Sequence, residues 1–164
     1  MTRNFVWPFL ILSALQMSAQ APLPEFFAQR GVEEVRIQVA PEDWATLQKN
    51  YLENTFYRAT FEWRGQRWTD VGIRSRGGGT RSAVKPALRV DFGRYTSAQR
   101  FQGMRNIAIE NLEQDAPMMR EYLSMALFRA RGIAAPREVY IHMFVNGRDM
   151  GLHLAMEHFD AGFV

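Results

Sequence analysis

The dipeptide Asn146-Gly147, flanked on both sides by alternating apolar residues, narrows the possible folds of this chain more than any other segment. Asn-Gly is a preferred centre for a two-residue type I′ turn, so it predicts a tight antiparallel hairpin. In that register three apolar pairs share one face, which supports the hairpin independently of the turn. The predicted cross-strand pairs are Val145 with Arg148, Met143 with Met150, Ile141 with Leu152, and Val139 with Leu154.

Other segments also alternate apolar and polar residues, which is the pattern of half-buried strands. Gly65 separates two of them, so those two are predicted to form a second hairpin. Pro41 is followed by two acidic residues and opens a short helix, since proline and acids are favoured in a first turn. The predicted strands cover residues 32–39, 56–63, 67–74, 88–92 and 104–110.

A longer helix is predicted over residues 116–131. Its apolar residues recur at helical spacing and would form one apolar stripe. Asp115 can cap its N-terminus, and Gly132 ends it. With five strands, a hairpin and this helix, the predicted fold class is α+β: an antiparallel sheet with one long helix.

Composition limits the chemistry available to the chain. Its 164 residues suit one ordinary domain, and there is no cysteine, which excludes disulfides, thiolate metal sites and a cysteine nucleophile. The net charge is +3, and arginine supplies almost all the positive charge, because Lys49 and Lys85 are the only lysines. Arginine forks suit phosphate or carboxylate ligands, but a solvated basic surface explains the same composition.

Residues 1–21 have the features of a secretory signal peptide. Arg3 is followed by an apolar stretch shorter than a membrane span, and Ala19-Gln20-Ala21 resembles a cleavage site. The mature protein, residues 22–164, is therefore predicted to be secreted or on the cell surface, with no membrane attachment after cleavage.

Three consecutive glycines, Gly77, Gly78 and Gly79, form the strongest candidate binding site. Backbone N–H groups of a glycine-rich turn can surround a phosphate, and flanking cations can neutralise it. The spacing matches neither a P-loop nor the usual kinase glycine motif, so a mobile surface loop is the competing interpretation. The flanking cations are Arg74, Arg76, Arg81 and Lys85.

Other chemistry-bearing residues give weaker signals. The hairpin register places His142 and His153 on one face, but two histidines alone make a poor metal site, so no metal ligand and no catalytic residue is assigned. Nucleic acid is not a predicted partner, because no aromatic and basic stacking motif is present. Glu121 and Glu157 are the acids of most interest.

Six blocks, in order, resemble the CotH kinase-like family, which is named for a spore coat protein. They cover nearly all of the mature chain, and Glu157 and Asp160 follow the last one. The blocks are VRIQVAPEDW (residues 35–44), VGIRSRG (71–77), RFQGM (100–104), MREYL (119–123), LFRARGIAAP (127–136) and VNGRDMGLHL (145–154).

The resemblance implies the N-terminal lobe of a divergent secreted protein kinase that uses ATP and magnesium or another divalent metal to phosphorylate extracytoplasmic or coat proteins. The glycines and Arg76 would cover the phosphates, and Lys85 or Arg89 would grip the nucleotide. Glu121 would pair with that cation, and Glu157 would lie in the connector beside adenine.

The same resemblance predicts a missing partner. The family's catalytic and metal-binding aspartates lie downstream of the connector, so residues 22–164 correspond to the N-terminal lobe without the catalytic lobe. The chain alone is then expected to transfer phosphate negligibly. The alternative function is a non-catalytic surface or matrix protein-binding module with the same fold.

Overall fold

Seven strands form a closed barrel in the computed structural model of the chain, which describes residues 24–158. The predicted signal peptide and Asp160 lie outside the described residues. A 3₁₀ helix at Glu25–Ala28 precedes the barrel, and two α-helices, α1 (Pro41–Lys49) and α2 (Arg120–Ala130), lie between strands. The strands are β1 (Glu33–Val39), β2 (Tyr57–Trp63), β3 (Gln66–Ser75), β4 (Leu88–Asp91), β5 (Asn106–Glu110), β6 (Glu138–Val145) and β7 (Arg148–Glu157).

The predicted fold class is wrong. Instead of an antiparallel α+β sheet with one long helix, the structure has a mixed barrel with two short helices. β1 pairs antiparallel with β2 on one edge and parallel with β6 on the other, where Val35 lies opposite Met143. That parallel pairing closes the barrel. Alternation within a strand fixes which side chains face inward, but it carries no information about a partner a hundred residues away.

The individual strands agree with their apolar patterns. β2 and β3 form the predicted hairpin, and both turn residues, Arg64 and Gly65, have positive φ. α1 begins with Pro41 in its first turn, as predicted. Short-range signals therefore located these elements correctly.

Aromatic rings fill one part of the barrel interior. The 3₁₀ helix places Phe26 against Phe101, with ring centroids 5.0 Å apart, and Phe101 also stacks on Phe92 at 5.0 Å. Phe61 and Trp63 complete the group, and all five side chains are at most 2% exposed. Edge-to-face and offset pairs of this kind stabilise a core by about 0.5–1.5 kcal/mol each beyond the burial of area.

The predicted β6–β7 hairpin is present, but its predicted register is wrong beyond the turn. Val145 lies opposite Arg148, as expected, and Asn146 and Gly147 both have positive φ. An irregularity then shifts the pairing, so that Ile141 lies opposite His153 rather than Leu152. Gly151, at φ 76°, has the backbone freedom that such a bulge needs.

The long helix is also shorter than predicted. Met118 has φ 54°, which interrupts any helical course from residue 116, and α2 starts at Arg120. Asp115 still satisfies the first N–H group of the helix, since its Oδ2 accepts a hydrogen bond from Arg120 at 2.7 Å. The apolar stripe of α2 is not part of the core, because no residue of α2 is buried.

Candidate active site

The glycine loop (residues 76–82) is held at both of its sides by side chains from elsewhere. Arg81 donates from Nε to the Gly77 carbonyl at 2.8 Å and also reaches the carbonyls of Tyr51 and Glu53. On the other side, Gln114 donates to the Gly79 carbonyl at 2.9 Å. The loop is therefore fixed at its base rather than hanging free.

The tip of the loop is open. Gly78 and Gly79 have no atom within 4 Å of the position where a Cβ would sit. Within residues 24–158, no hydrogen bond is donated by the backbone N–H of any of the three glycines. Free N–H groups on a fixed glycine turn are the arrangement that surrounds a phosphate.

Four guanidinium groups converge beside the glycine loop, and we call them the arginine cluster: Arg74, Arg76, Arg81 and Arg89. Burial lowers the pKa of Arg74, and the charges of Arg89, Arg81 and Arg76 lower it further. Like charges this close are unfavourable unless an anion lies among them.

Three members of the arginine cluster have neutral partners only among the described residues. Arg74 and Arg81 both donate to the amide oxygen of Asn54, at 2.7 and 2.6 Å, and to backbone carbonyls. Arg89 donates twice to the Oδ1 of Asn106, at 3.2 and 3.1 Å. These bonds fix the guanidinium groups in place and leave their positive charges uncompensated.

Arg76 is the member that faces acids. Its NH1 forms an ion pair with Glu110 and lies 4.0 Å from the sulfur of Met156. Burial lowers the pKa of Arg76, and the charge of Glu121 opposes that effect. The guanidinium of Arg76 thus lies between the other three members of the arginine cluster and the carboxyl groups of Glu110 and Glu121.

Glu121 projects from α2 toward this arginine. Burial raises the pKa of Glu121, Arg76 lowers it, and Asp115 raises it again. The resemblance paired Glu121 with Lys85 or Arg89, whereas the described cation whose charge acts on it is Arg76. A pocket of about 220 Å³ lies alongside, lined by Thr80 of the glycine loop and Glu121 of the helix among others.

The other predicted site residues lie farther from this centre or have other partners. Lys85 is half-buried; burial lowers its pKa, and Glu113 is the acid that acts on it. Glu157 forms an ion pair with Arg137 and also accepts the Arg137 backbone N–H at 2.9 Å. Glu157 therefore joins the ends of β6 and β7.

The two histidines of the hairpin do not share a face. The shift in register leaves His153 fully buried, while the His142 side chain is 44% exposed and lies 2.7 Å from Asp149. Among residues 24–158, no three histidine, aspartate or glutamate side chains are placed to hold a metal ion. In the same part of the chain, no helix is long and apolar enough to cross a membrane.

Two acids of the site were missed from the sequence. Glu110 and Glu138 end or begin a strand, where an acidic residue usually faces solvent, so neither attracted attention. Alternation along the strands could have identified them, because neighbouring residues of a strand face opposite sides of the sheet. Glu110 is next to the buried Ile109, and Glu138 is next to the buried Val139. Both acids therefore had to lie on the outer face of the barrel, together with Arg89.

Comparisons with known proteins agree with the predicted resemblance. The inner spore coat protein H of Bacillus subtilis (strain 168) is 26% identical over 122 residues, which is 74% of this chain. The chain spans about a third of the length of that relative, 33%. The family model for CotH kinase protein matches residues 73–164, which is more than half of the chain and includes the glycine loop and α2. The chain belongs to the CotH kinase protein family.

Proposed function

We propose that this chain is the nucleotide-binding part of a CotH-like kinase, and that the arginine cluster and the glycine loop together hold the phosphates of ATP. The observation that carries the proposal is the convergence of four guanidinium groups, three of them bound only to neutral acceptors among the described residues. Fixed cations and free loop N–H groups are what a triphosphate requires.

In this proposal the residues have distinct tasks. Arg74, Arg81 and Arg89 supply positive charge from fixed positions, so little reorganisation accompanies anion binding. Arg76 contacts the phosphates directly, with Glu110 and Glu121 setting its position. Burial of Arg76 strengthens its interaction with an anion, because the surrounding dielectric is low.

A divalent metal is part of the implied chemistry, in which it would neutralise charge that develops on the transferred phosphoryl group. The described residues do not fit a protein-bound metal, since no group of three candidate ligands exists among them. We therefore assign phosphate binding to these residues and no step that runs through a metal.

The proposed partners are a second domain and an extracytoplasmic protein substrate. α2 exposes Leu123, Leu127 and Phe128, which are 53%, 57% and 43% exposed. An apolar helix face of this kind is typical of a contact surface. The relative is about three times as long as the matched region, and its name places it in the spore coat, so a coat or other extracytoplasmic location is proposed for this chain as well.

The test is ATP affinity, measured calorimetrically with and without magnesium on the full chain and on Arg76→Gln. We expect binding that weakens at least about tenfold in the variant, because a charged hydrogen bond is lost. Arg67→Gln is the matched control, since Arg67 is exposed on β3 and pairs only with Glu62 among the described residues.

Equal affinities for Arg76→Gln and Arg67→Gln would contradict the proposed site. Absence of ATP binding together with binding to a polysaccharide or a coat protein would instead favour the non-catalytic module.

A further inference from the structure

Glu138 is a buried acid to which the proposed function gives no role. It begins β6, is 5% exposed, and neither of its carboxylate oxygens has a hydrogen-bond partner among the described residues. An ionised carboxylate in such a place is costly, whereas a protonated one is tolerated more easily. The environment of Glu138 therefore favours its neutral form.

The groups around Glu138 belong to three elements. α2 contributes Glu121 and Arg129, β6 contributes Tyr140, and β7 places Met156 directly across from it. Arg129 donates a hydrogen bond from NH1 to the Pro136 carbonyl and none to Glu138 among the described residues. Burial, then the charge of Glu121, raises the pKa of Glu138 to about 7, and Arg129 only partly offsets this.

Glu138 is connected to the arginine cluster through two neighbours. Met156 lies beside it across the strands and contacts the guanidinium of Arg76, while Glu121 acts on Arg76 by its charge. Two acids that share one environment do not ionise independently, because the first charge opposes the second. As long as Glu138 is neutral, Glu110 and Glu121 are the acids that act on Arg76.

We propose that Glu138 is a positioning residue for the anion site: in its neutral form it leaves Arg76 available to a phosphate, and its ionisation weakens anion binding. This inference rests on the proposed function, because it concerns the same arginine. Ionisation adds a second negative charge beside Glu121, the acid whose charge acts on Arg76, so the affinity for anions falls as the pH rises through the range in which Glu138 titrates.

The first experiment follows the glutamate carboxyl groups by NMR between pH 5 and 9 in the full chain without any ligand. The resonances of Glu121 and Glu138 are assigned with Glu121→Gln and Glu138→Gln. We expect Glu138 to be protonated at pH 6, and the Glu138 titration to move to lower pH in Glu121→Gln, because the charge of Glu121 opposes the ionisation of Glu138. Ionised Glu138 at pH 6, or a Glu138 titration unchanged in Glu121→Gln, would overturn the inference.

The second experiment measures the affinity for tripolyphosphate and for ATP at pH 6 and pH 8. Relative to Glu138→Gln, the wild-type protein should lose on the order of tenfold in affinity for either ligand between the two pH values. The ligands titrate in the same way with both proteins, so the comparison with Glu138→Gln removes the effect of their own titration on the affinity. Glu42→Gln, which removes an exposed acid from α1, should behave like the wild type.

The two ligands separate the inference from the proposed function. If tripolyphosphate binds with the expected pH dependence and ATP binds no more tightly, nucleotide binding is contradicted as the function of the site, while the role of Glu138 stands. Identical pH dependence in the wild type and Glu138→Gln would overturn that role even if ATP binds tightly.

Discussion

The interior of the barrel and its outer face under α2 differ in the side chains that they bring together. Inside, aromatic and aliphatic side chains are fully buried and contact one another on all sides. Outside, arginines and acids lie close together, Glu138 is buried with no hydrogen-bond partner among residues 24–158, and Leu123, Leu127 and Phe128 of α2 are exposed. We therefore assign stability to the inner face of these strands and the proposed binding to their outer face.

The two faces contribute differently to the free energy of folding. Apolar burial inside the barrel favours folding, while polar groups left without partners reduce stability and are typical of functional sites. β5 illustrates the division, because Ile107 and Ile109 face inward and Glu110 reaches Arg76 outside. Mutations on the two faces should therefore differ in what they change.

The largest expected effect is on the interior. Phe101→Ala should lower the free energy of unfolding by about 3–5 kcal/mol, since it removes a fully buried ring and leaves a cavity. Urea denaturation measures this directly. Phe128→Ala is the matched control on α2, where the ring is 43% exposed, and it should change stability by no more than about 0.5 kcal/mol. Similar losses in both variants would break the comparison.

Two buried titratable groups, one on each face, give the next effect. His153 is fully buried opposite Ile141, and burial lowers its pKa to about 4, so the folded protein holds it neutral. Its contribution is present above the unfolded value of 6.5 and is lost as the pH falls toward 4. Glu138 behaves oppositely, because its raised pKa of about 7 gives stability below 4.5 that is lost as the pH rises.

Between pH 4.5 and 6.5 the two slopes cancel, each being about 1.4 kcal/mol per pH unit. The urea midpoint of Glu138→Gln should therefore fall as the pH is lowered from 6.5 to 5, and that of His153→Gln should rise, relative to the wild type. The test compares how the urea midpoint of each protein changes with pH, and not the absolute stabilities of the variants. Parallel profiles for the three proteins would show that these groups do not titrate as their burial requires.

The sequence predicted individual strands, but it did not predict how all of them pair in the barrel. Alternation located β1 to β5, and Asn146-Gly147 located the β6–β7 turn, because these signals act over a few residues. The parallel pairing of β1 with β6 joins Ile37 to Val145, and no local pattern specifies it. The shift of register near Gly151 was not predicted, because the apolar pairs of the unshifted hairpin are equally compatible with the local pattern.

The candidate site divides in the same way. Gly77 to Gly79 and their flanking arginines stand together in the sequence, so their proximity could be predicted. Glu110 and Glu138 reach the site only because β5, β7 and β6 are neighbours in the barrel. Glu121 was identified through the resemblance, but its cation was not, since Arg76 approaches it from a loop rather than from a strand.

The smallest effect on stability, and the sharpest test of the outer face, comes from α2 itself. The double variant Leu123→Ser/Leu127→Ser removes two apolar side chains that are more than half exposed, so unfolding free energy should change by no more than about 0.5 kcal/mol. Self-association at high protein concentration should nevertheless decrease, because an exposed apolar patch promotes contact between molecules. Sedimentation velocity measures it, and Leu52→Ser, at a residue 68% exposed and remote in sequence, is the control. If Leu52→Ser reduced association as strongly as the double variant, the α2 face would have no special role, and the division between an inner face for stability and an outer face for binding would fail at the helix that defines it.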